Sequence, residues 1–478
     1  MATYKVLPTT AAPPATHRGN ADRFRSFAFG YVHAILLSLQ VPVFNTYLRL
    51  EGYQTTAYAT LITLPMLFSP SAHTPQHVLL GWALSALCLG LMVVEPFPAP
   101  YCDVRFVLCP RGLAQAADER WPHHNTNAPA SAAVYVLLST LVVLGAALGS
   151  APRPTCVYRH LGAAVAYAHS AVVLNGSAYG GSFALALAPN TAYLLCLGPA
   201  LAAIATGGAT TSRAATPSVW ELLQRRSVRQ LCFFGFVFGA TSRFESTALA
   251  PIAVAWASVE PLSDAVARLV ATALALAIAH VVGAHASSGN WRRILVGGSI
   301  LAVLLDATTV FRTIWPGRRD QWAFAGARLA SAIPIGLELA VTHWVSSDDT
   351  ASLVLASASL VGAAAGASLA RLLDTIFAPS QLAVGRDDAS ARWNVSLSFA
   401  AAYAIRLLGL CSLGLMPANA RSVVSLDATS KRRGILLASG LASVAIVSAI
   451  HSGLATLPAT ACYRFVGGPG AQVDGSCD

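Results

Sequence analysis

Apolar residues along the chain gather into thirteen runs of roughly helix length, parted by short polar segments. The first six cover residues 27–48, 55–68, 78–94, 131–149, 161–174 and 192–206. Seven more follow an arginine-bearing stretch, at 231–257, 262–282, 294–314, 322–344, 351–376, 393–415 and 435–454. The runs are continuous and rich in Ala and Leu, which favours helices over barrel strands. A hydrocarbon core about 30 Å thick is crossed by about 20 residues of helix. Only helices and closed barrels satisfy their backbone there. The pattern predicts an all-α polytopic membrane protein of six spans, six more, and one extra.

One run is defective. Residues 55–68 supply only about 21 Å of helix at 1.5 Å per residue. They contain Pro65, which weakens a helix, and they end at Ser69-Pro70. The segment reads as a half-helix, a tilted piece buried by neighbours, or a deletion.

Composition agrees with a lipid-facing surface: 55% of the 478 residues are hydrophobic and 11% charged, with mean hydropathy +0.58. A soluble domain carries about 25% charged residues. Spans and short loops fill the chain, leaving no room for a separate catalytic domain. The polar, Pro/Ala-rich start lacks a signal-peptide core, so the first span is expected to direct targeting.

The net charge of +10 is a topology signal rather than a sign of nucleic-acid binding. Lys5, Arg18, Arg23 and Arg25 precede the first run, and Arg153 and Arg159 follow the fourth. Arg213, Arg225, Arg226 and Arg229 follow the sixth; Arg292 and Arg293 follow the eighth. Arg421, Lys431, Arg432 and Arg433 follow the twelfth. If every run crosses, all lie on one side, which the positive-inside rule makes cytoplasmic. The expected organisation is a cytoplasmic tail (1–26), an N-terminal half (27–206), a cytoplasmic linker (207–229) and a C-terminal half (230–416). A basic loop with an extra helix (417–457) and an external tail (458–478) complete it.

Asn175-Gly-Ser and Asn394-Val-Ser, the two glycosylation sequons, then fall outside. So do Cys102, Cys109, Cys462 and Cys477, which could form disulfides in an oxidising compartment. Cys88, Cys156, Cys196, Cys232 and Cys411 lie in or beside spans, where packing is the expected role. No cysteine shows metal-ligand spacing, and His123-His124 reads as solvated loop. No phosphate loop, nucleophile elbow or HExxH motif occurs; neither enzyme activity nor a cofactor is expected, and no oligomer is implied.

An ionisable group at mid-bilayer costs about 2.5–3.5 kcal/mol on the insertion scale, so it faces a cavity or a partner. Glu245, Asp306, Arg328, Glu338, His343 and Arg406 fall within runs and are the candidates for solute binding or proton coupling. The competing reading is that they pair with one another to hold helices together. Arg371 and Asp374, three apart, read as an intrahelical ion pair. Arg243 and Glu245, two apart, are expected on different faces of one helix. Glu260 and Asp264 are expected in a tight outer loop as structural or capping groups. Gly362, Ala363, Gly366 and Ala367 form a small-residue packing face.

Several segments resemble a known family. Gly52-Tyr53-Gln54-Thr55-Thr56-Ala57-Tyr58-Ala59 and Gly81-Trp82 are early elements. The densest region holds Phe244-Glu245-Ser246-Thr247-Ala248, Pro251-Ile252 and Trp256-Ala257-Ser258-Val259-Glu260-Pro261-Leu262-Ser263-Asp264. Asn290-Trp291-Arg292-Arg293, Asp306 and Arg319-Asp320-Gln321-Trp322 continue the register, with Tyr179-Gly180-Gly181-Ser182-Phe183 a weaker match. In order and spacing these resemble the folate–biopterin transporters, a branch of the major facilitator superfamily, over about residues 52–419. The resemblance implies two six-helix halves around a central site, and secondary transport of a folate, a pterin or a similar small solute; the carboxylates and His343 could relay a coupling proton. A pterin edge would suit a carboxylate acceptor, and a folate tail would suit arginine. The plasma membrane is the expected location, with an organelle membrane as the alternative. Two departures stand against this. The second span is short and lacks the family's charged loop, and residues 131–150 hold no acidic residue. They favour a second reading, a transport-inactive paralogue serving as membrane scaffold or sensor.

Overall fold

A computed structural model of the chain describes residues 18–68, 75–101, 125, 127–150, 156–174, 189–206, 219–285, 291–315, 317, 319–345, 349–377, 379–415 and 429–470. These residues form helices and no strand. The first half holds α1 (Arg18–Ser38), continued by a π-helical stretch (Gln40–Tyr47), and α2 (Gly52–Thr63), continued by a 3-10 turn (Leu64–Phe68). Then come α3 (Pro75–Val94), α4 (Ala128–Gly149), α5 (Cys156–Val173) and α6 (Asn190–Ala205). The second half has a short α7 (Val219–Leu223), α8 (Arg226–Ser242), α9 (Leu249–Ala255), α10 (Pro261–His285), α11 (Trp291–Ile314), α12 (Gln321–Val345) and α13 (Asp349–Phe377). Last are α14 (Gln381–Arg386), α15 (Ala389–Leu408), α16 (Lys431–Thr456) and α17 (Pro458–Ala461). Nine helices among the described residues are long and apolar enough to cross a membrane. Leucines and valines such as Leu80, Leu87, Leu137 and Val447 stand exposed on them. Such a surface is stable against lipid and not against water. The chain is an all-α polytopic membrane protein.

Packing repeats between the halves. α1 lies on α5 as α8 lies on α13, and α3 touches α4 and α6 as α11 touches α12 and α15. The α1–α5 and α8–α13 crossings use the same device. A Cβ on Gly30 would stand 1.9 Å from the Arg159 carbonyl oxygen, and one on Gly362 would stand 2.0 Å from that of Phe236. Only glycine lets these backbones touch. Across the seam, α5 meets α10 and α2 meets α13.

Contacts at the ends show which termini are neighbours. Arg25 donates through Nη2 to the Thr206 carbonyl at 2.5 Å, and Ser430 N donates to Gln224 O at 2.9 Å. The starts of α1, α8 and α16 therefore share one end, the proximal end. At the distal end Tyr53 donates to Ala461 O at 2.9 Å. Trp315, Trp322 and Trp393 are exposed at that end, at the level where amphipathic rings settle in a bilayer interface.

The sequence-based boundaries need correction at three places. Helix begins at Arg18, inside the expected 1–26 tail, and α8 begins at Arg226, inside the expected 207–229 linker. The run 231–257 is two helices, parted at residues 243–248. The short run is a real helix that changes to 3-10 geometry around Pro65, which has no N–H to donate and crowds the preceding turn. Beside it α16 packs on both α2 and α13, with Ala57, Ala455 and Val466 fully buried together.

The Arg371–Asp374 ion pair does not form. Arg371 is fully buried and turns toward α16, donating to His451 Nδ1 at 2.7 Å, Ser452 Oγ at 2.9 Å and, on its own helix, Ser368 Oγ at 3.1 Å. Asp374 turns the other way, toward the gap between α8 and α9. Asn394 is exposed in the second turn of α15, so this sequon is helical and lies near the distal end of that helix. Asn175, Cys102, Cys109, Cys477 and His123-His124 lie outside the described residues; Cys462 is disulfide-bonded.

The glycine contacts generate a test. Gly362→Ala forces α8 and α13 apart and is expected to cost about 1–3 kcal/mol, as overpacking does. Gly90→Ala, whose Cβ would meet nothing within 4 Å, serves as control. Thermal melts of the purified variants should show a clear loss for the first and none for the second.

Candidate functional site

The gap in α8–α9 organises the site. Ser246 and Thr247 compete for backbone hydrogen bonds, and Pro251 cannot continue the ladder, so the helix parts. Asp374 on α13 holds the freed groups. It accepts from Thr247 N at 2.6 Å and from Ser398 Oγ at 2.5 Å. The Phe244 carbonyl accepts from Arg406 Nε on α15 at 2.7 Å. Arg243 and Glu245 therefore do not sit on different faces of one helix. Both border the same cavity.

That cavity measures about 220 Å³ and lies between the halves. The π-helical end of α1 supplies Gln40, α2 supplies Thr56, Thr60 and Thr63, and α12 supplies Arg328. Ala363 and Ala367 of α13 form a smooth wall. The expected small-residue face thus divides: its glycines pack on α8 and its alanines open onto the cavity.

The charges form three groups. Arg406 donates to Asp306 at 2.6 Å and stands 4.0 Å from Glu245. Arg328 and Arg268 both bind Asp264, at 3.1 Å and 2.6 Å. Arg243 pairs with Glu338 at 2.5 Å. Asp306 and Arg406 are nearly buried, at 9% and 14% exposure, whereas Glu245 is 44% exposed. Five of the six sequence candidates thus fall among these three groups, with Glu245 and Arg328 on the cavity wall and the other three behind it. The side chain of the sixth, His343, lies outside the described residues.

Sequence reasoning missed Arg268 and Arg243 as members of these groups. It also placed Asp264 in a loop, whereas Asp264 sits in the first turn of α10. The Asp264…Arg268 spacing of four was the available signal. The partnership with Arg328 was not visible, because it depends on how α10 meets α12. No group of three or more His, Cys, Asp or Glu among the described residues could hold a metal.

The distal end above the cavity is tied shut. Gln381 N donates to Glu51 Oε2 at 2.9 Å, linking α14 to the start of α2. Trp256 Nε1 donates to Val384 O at 2.9 Å. Asp387, at the end of α14, accepts from Arg319 Nη1 at 2.5 Å and Nη2 at 2.8 Å, and from Arg392 at 2.9 Å. The Arg319 hydrogen bonds, helped by Arg392, hold the Asp387 carboxyl down at about 2.

No protein-family model matches the chain, and no curated protein matches it. Among solved structures it is similar to a mutant form of the nucleoside transporter NupG (10% identity, TM-score 0.49, 83% of this chain and 99% of that one). It is similar to a proton-dependent oligopeptide transporter (11%, 0.49, 84% and 99%). A bacterial homologue of the lysosomal transporter Spinster, captured inward-facing and unoccupied, is also similar (13%, 0.47, 93% and 99%).

Two outcomes follow from the charge geometry. Arg406→Met strands Asp306 and the Phe244 carbonyl and is expected to cost about 3–5 kcal/mol, as breaking a buried pair does. Adding Asp306→Asn should restore part of the loss in a thermal melt. For Asp387, the depressed carboxyl stabilises the folded state fully above its unfolded value near about 3.9, and this contribution vanishes as pH falls through about 2. The melting temperature should therefore hold its Asp387 contribution from pH 7 to 5 and lose it between about pH 4 and 2. Asp387→Asn, which tolerates the left-handed backbone at that position (φ 51°), should lower the melting temperature at pH 7 and remove that acid-dependent loss.

Proposed function

We propose that the chain is a secondary active transporter of a small organic solute, and that the cavity at the α8–α9 gap is its solute site. One observation carries this. A half-exposed carboxylate, Glu245, faces a cavity shared by both halves, and its nearest cation stands 4.0 Å away. A purely structural charge would be drawn into a close pair, as Asp306 is. Glu245 is instead kept available for a solute or for a coupling proton. The repeated packing of two six-helix units, with the site between them, supports alternating access of the major-facilitator kind. The tied distal end fits a conformer closed on that side. The arginine-rich proximal side is read as cytoplasmic and the plasma membrane as the location.

The cavity size bears on the solute. About 220 Å³ falls below the roughly 300–1,000 Å³ of typical ligand pockets. It suits a single bicyclic ring such as a pterin and would have to widen for the longer folate.

A second reading, a transport-inactive scaffold or sensor, is favoured by α16. This helix packs across α2 and α13, the seam that a rocking transporter must loosen.

Uptake decides between them. Cells expressing the chain should accumulate labelled biopterin or folate above controls. Glu245→Gln, which keeps shape and a hydrogen bond, should reach the membrane with unchanged melting temperature while uptake falls at least about tenfold, or about 1.4 kcal/mol. No uptake by the unmodified chain would hand the case to the scaffold reading. Unchanged uptake by the variant would remove Glu245 from the site.

A further inference from the structure

The hydrogen-bonding capacity left over on the cavity walls is asymmetric. On α2, Thr56, Thr60 and Thr63 each spend their hydroxyl proton on a carbonyl one turn back, at 2.9, 2.9 and 2.6 Å. They therefore offer the cavity only lone pairs. Gln40 spends one of its two amide N–H groups on Thr55 O at 3.1 Å and keeps its oxygen and the second N–H. Glu245 is acceptor-only when ionised. Most of the polar wall thus accepts and cannot donate.

The donors come from two arginines. Arg328 is tethered to Asp264 through Nε alone, and no described residue takes its two terminal nitrogens. Arg243 gives one nitrogen to Glu338 and keeps the rest of its fork. An arginine held by one edge presents the other to a planar anion in a two-pronged bond. The surrounding charge is split in the same sense. Glu245 and Asp306 share one cation, Arg406, while Arg268 and Arg328 share one anion, Asp264. The first group carries an excess negative charge and the second an excess positive charge.

We propose that this cavity selects a compact amphoteric solute, its single anionic group on Arg328 and Arg243 and its cationic, N–H-rich head against Glu245 and the threonine wall. The proposal rests on the transport reading for its biological meaning, yet binding tests it separately. A solute with only one of the two charges leaves an opposed pole unanswered in a low-dielectric site, which is costly.

The experiment uses the full chain in lipid nanodiscs. The twenty free L-amino acids, as compact amphoteric probes, are compared with their amides, which lack the carboxylate, and their N-acetyl forms, which lack the ammonium. At least one free amino acid should raise the melting temperature, with its amide and its N-acetyl form binding at least tenfold more weakly. Arg328→Met should erase discrimination against the amide, and Glu245→Gln should erase discrimination against the N-acetyl form. Should Arg328→Met fail to fold, Arg328→Lys keeps the charge without the fork and should still narrow the preference for acid over amide. Equal binding of the modified forms, or no binding by any free amino acid, overturns amphoteric selection. Proteoliposome exchange separates the two ideas. Biopterin uptake without amino-acid binding sinks this inference and leaves transport standing, whereas binding without exchange or uptake does the reverse.

Discussion

A bilayer interior offers no water to a stranded charge or a freed backbone group, so such a group is costly unless it is answered from within the protein. The α8–α9 gap exposes that constraint most directly. Parting a helix at mid-span frees backbone N–H and C=O groups, each costly to leave unmet in apolar surroundings. Asp374 takes the Thr247 N–H, and Arg406 takes the Phe244 carbonyl. Both clamps come from other helices of the same half, so the gap is fixed by the packing of α13 and α15 around it. Arg406 in turn needs Asp306, and the chain of dependence ends at Glu245, where a carboxylate is left facing open space. The cavity is the place where internal compensation stops.

The same constraint explains the odd pairing of a shortened helix with an extra one. Pro65 ends α2 in a 3-10 turn, which would leave the seam between halves thinly covered on that side. The extra C-terminal helix, α16, lies along α2 and α13 and seats His451 and Ser452 on the buried Arg371. Nη2 of Arg371 thus finds neutral acceptors, while its Nε and Nη1 are buried without a partner among the described residues, and His451 passes its other nitrogen to the Phe465 carbonyl at 2.6 Å. The extra helix is an integral part of the bundle and not an appended tail.

Fold class was legible because it follows from transfer free energy alone. Runs of apolar residues, scarce charges and basic residues in alternate loops require no knowledge of partners, and they located each described span to within several residues. Which side chains would take part in the buried charge groups was largely legible for the same reason. Glu245, Asp306, Arg328, Glu338 and Arg406 stand out because an ionisable group inside an apolar run must be met by something.

The partners themselves were not legible. Sequence proximity joined Arg371 to Asp374, but one faces α16 and the other the helix gap, since a helix packed on two sides sends residues three apart to different neighbours. Spacing placed Arg243 and Glu245 on different faces of one helix, but only an unbroken helix has faces, and interhelical hydrogen bonds decided the break. Asp264 looked like a loop residue until α10 met α12. What the sequence determined by itself was the solvent, the rough limits of most of the long helices, and which side chains needed partners, all consequences of local composition. Which partner each received, and which carboxylate was left facing a cavity, was decided only by tertiary structure, because those outcomes depend on contacts between residues 100 or more positions apart, as Arg406 with Asp306.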